Sequence, residues 1–218
     1  MYSFLILKLD GVMQAWGDHT YEDYRPTVNF PTRSGLLGLL AACMGIERSD
    51  VAGLAELDKS LCFSIRADSE KTIKLTDFHT VMNARKVDIR KSGEYPVVSR
   101  REYLCDAKFT VAIGLSEHTS VTFDTIQRAL KQPVYTPVLG RRSCPISRPL
   151  LVHTMEAVDA LAALAQFEPN QGTIYTDSPA LRNDRQIRLR DVPRHARVRQ
   201  FATRMVSVYP KGSTHVPE

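Results

Sequence analysis

The sequence lacks the common signatures of catalysis. It contains no P-loop, no G-x-S-x-G, no H-E-x-x-H and no paired-carboxylate motif, so no enzyme class is indicated by motif. A metal-binding pattern is missing too. The four cysteines, Cys43, Cys62, Cys105 and Cys144, are widely spaced, form no C-x-x-C pair and have no histidine at ligand spacing. A structural zinc site is therefore not expected, and no cofactor is implied. Cys43 in an apolar helix and Cys62 in an apolar strand read as buried free thiols, which suits a reducing cytoplasm. Long hydrophobic runs are absent. The longest uncharged run, 34–46, falls short of the roughly 20 residues of a membrane span. The N-terminal YSFLILKLDG is strand-like and not a signal peptide. The expectation is a cytoplasmic protein without a membrane partner. No internal repeat at a solenoid period is found.

A large charge surplus is also missing. Lys and Arg number 29 against 24 Asp and Glu, a net +5, with a pI of about 9.1. Net charge this small carries no argument for nucleic-acid binding. Its distribution does, because attraction to phosphate is local and decays within about 8 Å at physiological salt. Basic residues gather at 82–101, 140–148 and 182–204, the last holding eight arginines against Asp184 and Asp191. In the second and third stretches arginine dominates over lysine, and its planar fork binds phosphate bidentately and stacks on bases. The competing reading of each stretch is a solvated surface.

What is present is a legible order of elements. Residues 2–9 read as a buried strand, 34–44 as an apolar helix capped by Thr32 or Ser34, and 61–67 as an alternating strand. A second short helix is expected from Asp50 to Leu57. Another strand is predicted at 71–82, then a basic excursion at 82–101, a strand at 107–115 and an amphipathic helix at 123–131. A strand at 149–156, a helix at 157–166 and three short strands (GTIYT, QIRLR, MVSVY) complete the chain. The series fits an α+β, ferredoxin-like βαββαβ core over 1–148, followed by a smaller β-rich region over 149–218. A ferredoxin-like sheet with basic loops is a common way of holding single-stranded RNA, but the RNP1 aromatic signature is absent.

Individual residues carry more than one reading each. Trp16, the only tryptophan, sits in a loop where it stacks a base, anchors a protein interface or packs the loop onto the core; taken alone, packing is favoured. Pro31-Thr32-Arg33-Ser34-Gly35 opens a helix, where N–H groups, the Arg33 guanidinium and the Ser34 hydroxyl converge on an anion, or where a simple cap suffices. His79, with Tyr103 and Lys108, has the acid–base inventory for metal-independent RNA cleavage, although a histidine that only hydrogen-bonds is the favoured reading.

The blocks GVMQAWG, RPTVNFPTRSGLLGLLAACMGI, DFHTV, RREYLCDAKFTVAI, YTPVLGRRSCPIS and RQFATR together resemble the CasD or Cas-five family of CRISPR-associated RAMP proteins of the type I-E Cascade complex. The resemblance runs from the first strand to about residue 209. It implies a RAMP domain with an inserted thumb hairpin at about 78–104. It also implies a non-catalytic subunit that caps the 5′ handle of a crRNA. The implied partners are the backbone RAMP subunits and the large PAM-reading subunit, with target DNA reached only through the complex. On this reading Arg33, Arg141 and Arg142 bind handle phosphates, and Ser34, Ser143 and the backbone at Gly140 add hydrogen bonds. Trp16 or Tyr103 stacks a base, His79 contacts RNA, and Arg85, Arg90, Arg100 and Arg101 guide the strand beneath the thumb. The alternative is an endoribonuclease that processes CRISPR precursor RNA with His79 as base.

Overall fold

A computed structural model describes residues 1–18, 23–69, 71–82, 96–117, 119–177, 185–194 and 200–211. In chain order the first half comprises β1 (Tyr2–Asp10), β2 (Met13–Gln14), β3 (Trp16–Gly17), β4 (Tyr24–Arg25), β5 (Thr27–Val28), α1 (Arg33–Met44), α2 (Val51–Ser60), β6 (Leu61–Ala67), β7 (Ile73–Val81) and β8 (Val97–Cys105). The second half comprises β9 (Lys108–Leu115), α3 (Phe123–Lys131), β10 (Leu151–Ala157), α4 (Ala160–Ala165), β11 (Thr173–Thr176), β12 (Arg185–Arg194) and β13 (Gln200–Tyr209). The fold is mixed α and β and rich in sheet.

Seven strands form one sheet in the order β10-β1-β9-β6-β11-β13-β12, with every neighbouring pair antiparallel. β1 is an interior strand, apolar on both sides because both of its faces are covered. Leu5, Leu7 and Leu9 enter the main core, built with Leu36, Leu40, Phe63, Phe109 and Ile126 from α1, β6, β9 and α3. Phe4 and Ile6 point the other way and meet Ala163 and Leu164 of α4. A strand's period of two sends alternate residues to opposite faces, which is why one nine-residue strand feeds two clusters.

α1 is apolar nearly all round. Thr32 caps it, its hydroxyl accepting from the Gly35 N–H at 3.2 Å, and it ends at Gly45 in the left-handed region with φ 74°. Of the two caps expected from sequence, Thr32 is the one used.

Three expectations are corrected. The C-terminal region is not set apart at residue 148: β10 forms the edge beside β1, and β11 pairs with β6, so strands beyond 149 complete the same sheet. The last two strands are not short. β12 and β13 are ten residues each and pair from Arg185↔Val208 to Arg194↔Gln200. Cys43 is buried, but Cys62 is exposed, because it alternates with the inward Leu61 and Phe63 and its thiol lies 3.7 Å from the Ser116 hydroxyl.

The basic excursion is a hairpin at its base. β7 and β8 pair antiparallel over nine rungs, from Val81↔Val97 to Ile73↔Cys105. The free side of β8 takes β2 and the parallel β4. All nine residues of β7 are exposed.

Candidate nucleic-acid interface

The 139–144 loop is pressed against the segment after β1. The Ala15 N–H donates to Leu139 O at 3.0 Å, and the Leu139 N–H donates to Cys144 O at 2.7 Å, which closes the loop on itself. Gly140 has φ 89°, and a Cβ there would lie 1.8 Å from Ala15 O, so the position admits only glycine. The turn sends Arg141 back into the protein. Its Nη1 donates to Glu102 O at 2.8 Å, its Nη2 donates to Arg25 O at 2.9 Å, and its guanidinium carbon sits 4.7 Å from the centre of the Tyr103 ring. Arg142 and Ser143 remain exposed on the loop's outer side.

The Glu102 carboxylate organises the same region from below. It accepts from the Tyr24 hydroxyl, from the Thr27 N–H at 3.0 Å and from Lys74 Nζ at 3.3 Å. Burial pushes its pKa up, but the hydrogen bonds from Tyr24 and Thr27 and the charge of Lys74 outweigh burial and hold it below the ordinary value.

Between this loop and α1 lies a cleft of about 710 Å³. Its lining includes Thr32, Ser34 and Gly35 from the start of α1, with Gly140 and Arg141 from the loop. Arg25 comes from β4, and Arg190, Gln200 and Phe201 come from the β12–β13 pair. Asp18 is also in the lining, one acid against three arginines. The two segments that the sequence singled out, 31–35 and 140–145, thus meet in space although about a hundred residues separate them. A wider groove of about 1110 Å³ continues past Ser34, Gly38 and Ala42 toward Ile46, Val51 and Tyr135.

Arg33 does not face the cleft. Its Nε and Nη1 donate to Asp58 at 2.8 Å and Asp177 at 2.7 Å, and its Nη2 donates to Asp58 O and to Leu61 O at 3.0 Å. The anion expected at the start of α1 is the protein's own. Asp191 accepts from the Arg33 N–H at 2.7 Å. Trp16 does not stack a base either. It is fully buried, its Nε1 donates to Gln14 Oε1 at 3.0 Å, and its ring fills the space that a side chain at Gly35 would need.

The hairpin residues are placed differently again. Arg100 is exposed and covers the Phe78 ring at 5.5 Å, while Arg101 donates from Nε to the Ser99 hydroxyl at 3.0 Å. His79 pairs with Ser99 on the exposed strand, whereas Tyr103 pairs with Leu75. Those rungs are four apart, on the order of 13 Å along the strand. Tyr103 is buried beneath Arg141, and Lys108 lies in the main sheet with Asp10 at 3.9 Å. His79, Tyr103 and Lys108 therefore do not converge. Arg85 and Arg90 lie outside the described residues. Among the described residues no group of three His, Cys, Asp or Glu is placed to hold a metal ion, and no helix is long and apolar enough to cross a membrane.

Sequence reasoning missed Arg25, Gln200 and Phe201, and left Arg190 without a role. The signals were there without roles attached: Arg190, Gln200 and Phe201 lie in the basic stretch 182–204, and Arg25 opens the block RPTVNFPTRSGLLGLLAACMGI.

Residues 4–207 match the model of the family described as CRISPR-associated protein (Cas_Cas5). The chain is 44% identical over 212 residues to the CRISPR system Cascade subunit CasD of Escherichia coli (strain K12), covering 94% of each. Among solved structures it is similar to a chain of a CRISPR RNA-guided surveillance complex, with a TM-score of 0.72, 30% identity, and 95% of this chain and 90% of that one covered. It is also similar to a crystallised Cas protein, with a TM-score of 0.61, 28% identity and 95% of each chain covered. With the family matched over nearly its whole length, this chain belongs to the Cas5 family of CRISPR-associated proteins.

Proposed function

We propose that this chain is a non-catalytic crRNA-binding subunit of a Cascade-type surveillance complex, capping the 5′ handle of the guide in the cleft beneath the 139–144 loop. The observation that carries the reading is the cleft itself. Arg25, Arg141 and Arg190 come from three separate elements and line one space with the start of α1. Arginine forks and backbone N–H groups in a concave site suit the phosphates of a single strand. The relative's place in Cascade and the neighbour's place in an RNA-guided complex support the same reading.

The core order β10-β1-β9-β6, with α1 and α3 in the two crossovers, is that of a split βαβ, ferredoxin-like domain. The β7–β8 hairpin is then an insertion between its second and third strands and takes the part of the thumb. Its exposed Ile73, Leu75, Val81 and Val97 share one face, with Phe78 and Val98 on the other, and the first face is an apolar surface suited to a neighbouring protein subunit. The non-catalytic part of the reading is supported by the separation of His79, Tyr103 and Lys108.

The test is a salt titration of the full chain against a labelled single-stranded RNA carrying the repeat's 5′ sequence. Arg142→Ala and Arg25→Ala should each weaken binding, and each lost phosphate contact should reduce the salt slope by roughly 0.7. Equal affinity for an unrelated RNA of the same length would remove the handle assignment. Cleavage of repeat RNA in EDTA, abolished by His79→Ala, would overturn the non-catalytic reading.

A further inference from the structure

β12 contains a bulge whose two side chains go opposite ways. Leu189 pairs with Arg204 and Val192 with Ala202, so Arg190 and Asp191 together face the single residue Thr203. Bulges of this kind bend a strand and re-aim its side chains. Arg190 lines the cleft, its Nε donating to Phe201 O at 3.1 Å. Asp191 turns inward and is only 2% exposed. It accepts from Arg204 Nε at 2.7 Å and Nη2 at 2.8 Å, and from the first N–H of α1 at 2.7 Å. Arg204 also reaches Asp177, which Arg33 bridges to Asp58. The result is a closed circuit of two arginines and three aspartates, tying the bulge to the wall of the cleft.

We propose that Asp191 is a positioning residue for the nucleic-acid cleft: its two-oxygen hold on Arg204 and its bond to the start of α1 lock the bulge, and the locked bulge keeps Arg190 aimed at the bound strand. This rests on the reading of the cleft as an RNA site. Burial pushes the Asp191 carboxyl up to about 6, against the N–H and charge of Arg33, and lowers Arg204 to about 10. At neutral pH both groups are still ionised, so the circuit operates as ion pairs.

The consequence runs against net charge. Asp191→Asn makes the chain one unit more positive while preserving shape, and electrostatics alone would tighten RNA binding. A positioning role requires the reverse. The measurement is fluorescence anisotropy of the full chain with the same single-stranded RNA across a salt series, for Asp191→Asn, Arg190→Ala and the double variant. Asp191→Asn should weaken binding about tenfold, the scale of one charged hydrogen bond, and reduce the salt slope by up to about 0.7. The double variant should be no worse than Arg190→Ala, since coupled residues are not additive. Circular dichroism melts establish that each protein is folded at the assay temperature. If Asp191→Asn does not fold, Arg204→Lys, which retains charge but not the fork, takes its place in the same cycle. Unchanged or tighter binding, or additive losses, would overturn the positioning role. An Arg190→Ala variant with wild-type slope would overturn it by a different route, by removing Arg190 from the RNA contact, and would count against the cleft reading itself.

Discussion

At Arg33 and Arg142 the same residue type does opposite work. Arg33 has two carboxylates and two carbonyls around its guanidinium, and its side chain is 13% exposed. Arg142 is exposed on the loop. Arg33→Ala should therefore cost about 3–5 kcal/mol of stability, because it leaves Asp58 and Asp177 without their shared cation. A lowered melting temperature checks this. Arg142→Ala should leave the melting temperature within experimental spread and change only the RNA salt slope. Arg141 lies between these cases, since it staples the loop to Glu102 and Arg25 and lines the cleft as well. Arg141→Lys should not restore it, as an ammonium cannot span two carbonyls while stacking on Tyr103. Gly140→Ala should destabilise the loop through both its positive φ and the approach of Ala15 O. A string of letters shows which arginines are present. It does not show which of them already have carboxylate partners, because those partners come from α2, β12 and the segment after β11.

Among the elements, β7 stands outside the core: all nine of its residues are exposed, whereas β8 lends Tyr103 and Leu104 to the main cluster. The outward side of β7 makes no contribution to either hydrophobic cluster. Replacing Ile73 and Leu75, which share one face, by serine should leave the melting temperature of the isolated chain nearly unchanged while weakening its association with neighbouring subunits, measured by pull-down from a reconstituted complex. Loss of stability in the isolated chain would contradict the view of this face as an interface. The hairpin was legible in sequence as a basic interruption between two apolar strands. The partners of β8's other edge, β2 and β4, were not, because two-residue strands carry no periodicity. α1, by contrast, was legible to within a residue from its uncharged run and its cap.

The whole molecule is closed by its C-terminal strands. β10 covers the open edge of β1, and Ala157 packs with Phe4 and Ile6. β13 brings Arg204 to the acids around Arg33. A chain ending at residue 148 would lack β10, α4, β11, β12 and β13, and with α4 and Ala157 the cover of the Phe4 and Ile6 face. It should not unfold cooperatively, as judged by a broad thermal transition, whereas the full chain should show a sharp one.

The sequence by itself determined the element order of the core, the limits of most of its strands and helices, and two of the segments that line the cleft. These depend on local periodicity, capping and turn chemistry, which neighbouring residues settle among themselves. Only the tertiary structure decided which arginines face outward. Arg33 and Arg204 spend their charge on Asp58, Asp177 and Asp191, while Arg25 and Arg190 reach the cleft. An ion pair forms wherever packing brings opposite charges within a few ångströms, and that meeting is set by sheet register and one bulge rather than by distance along the chain.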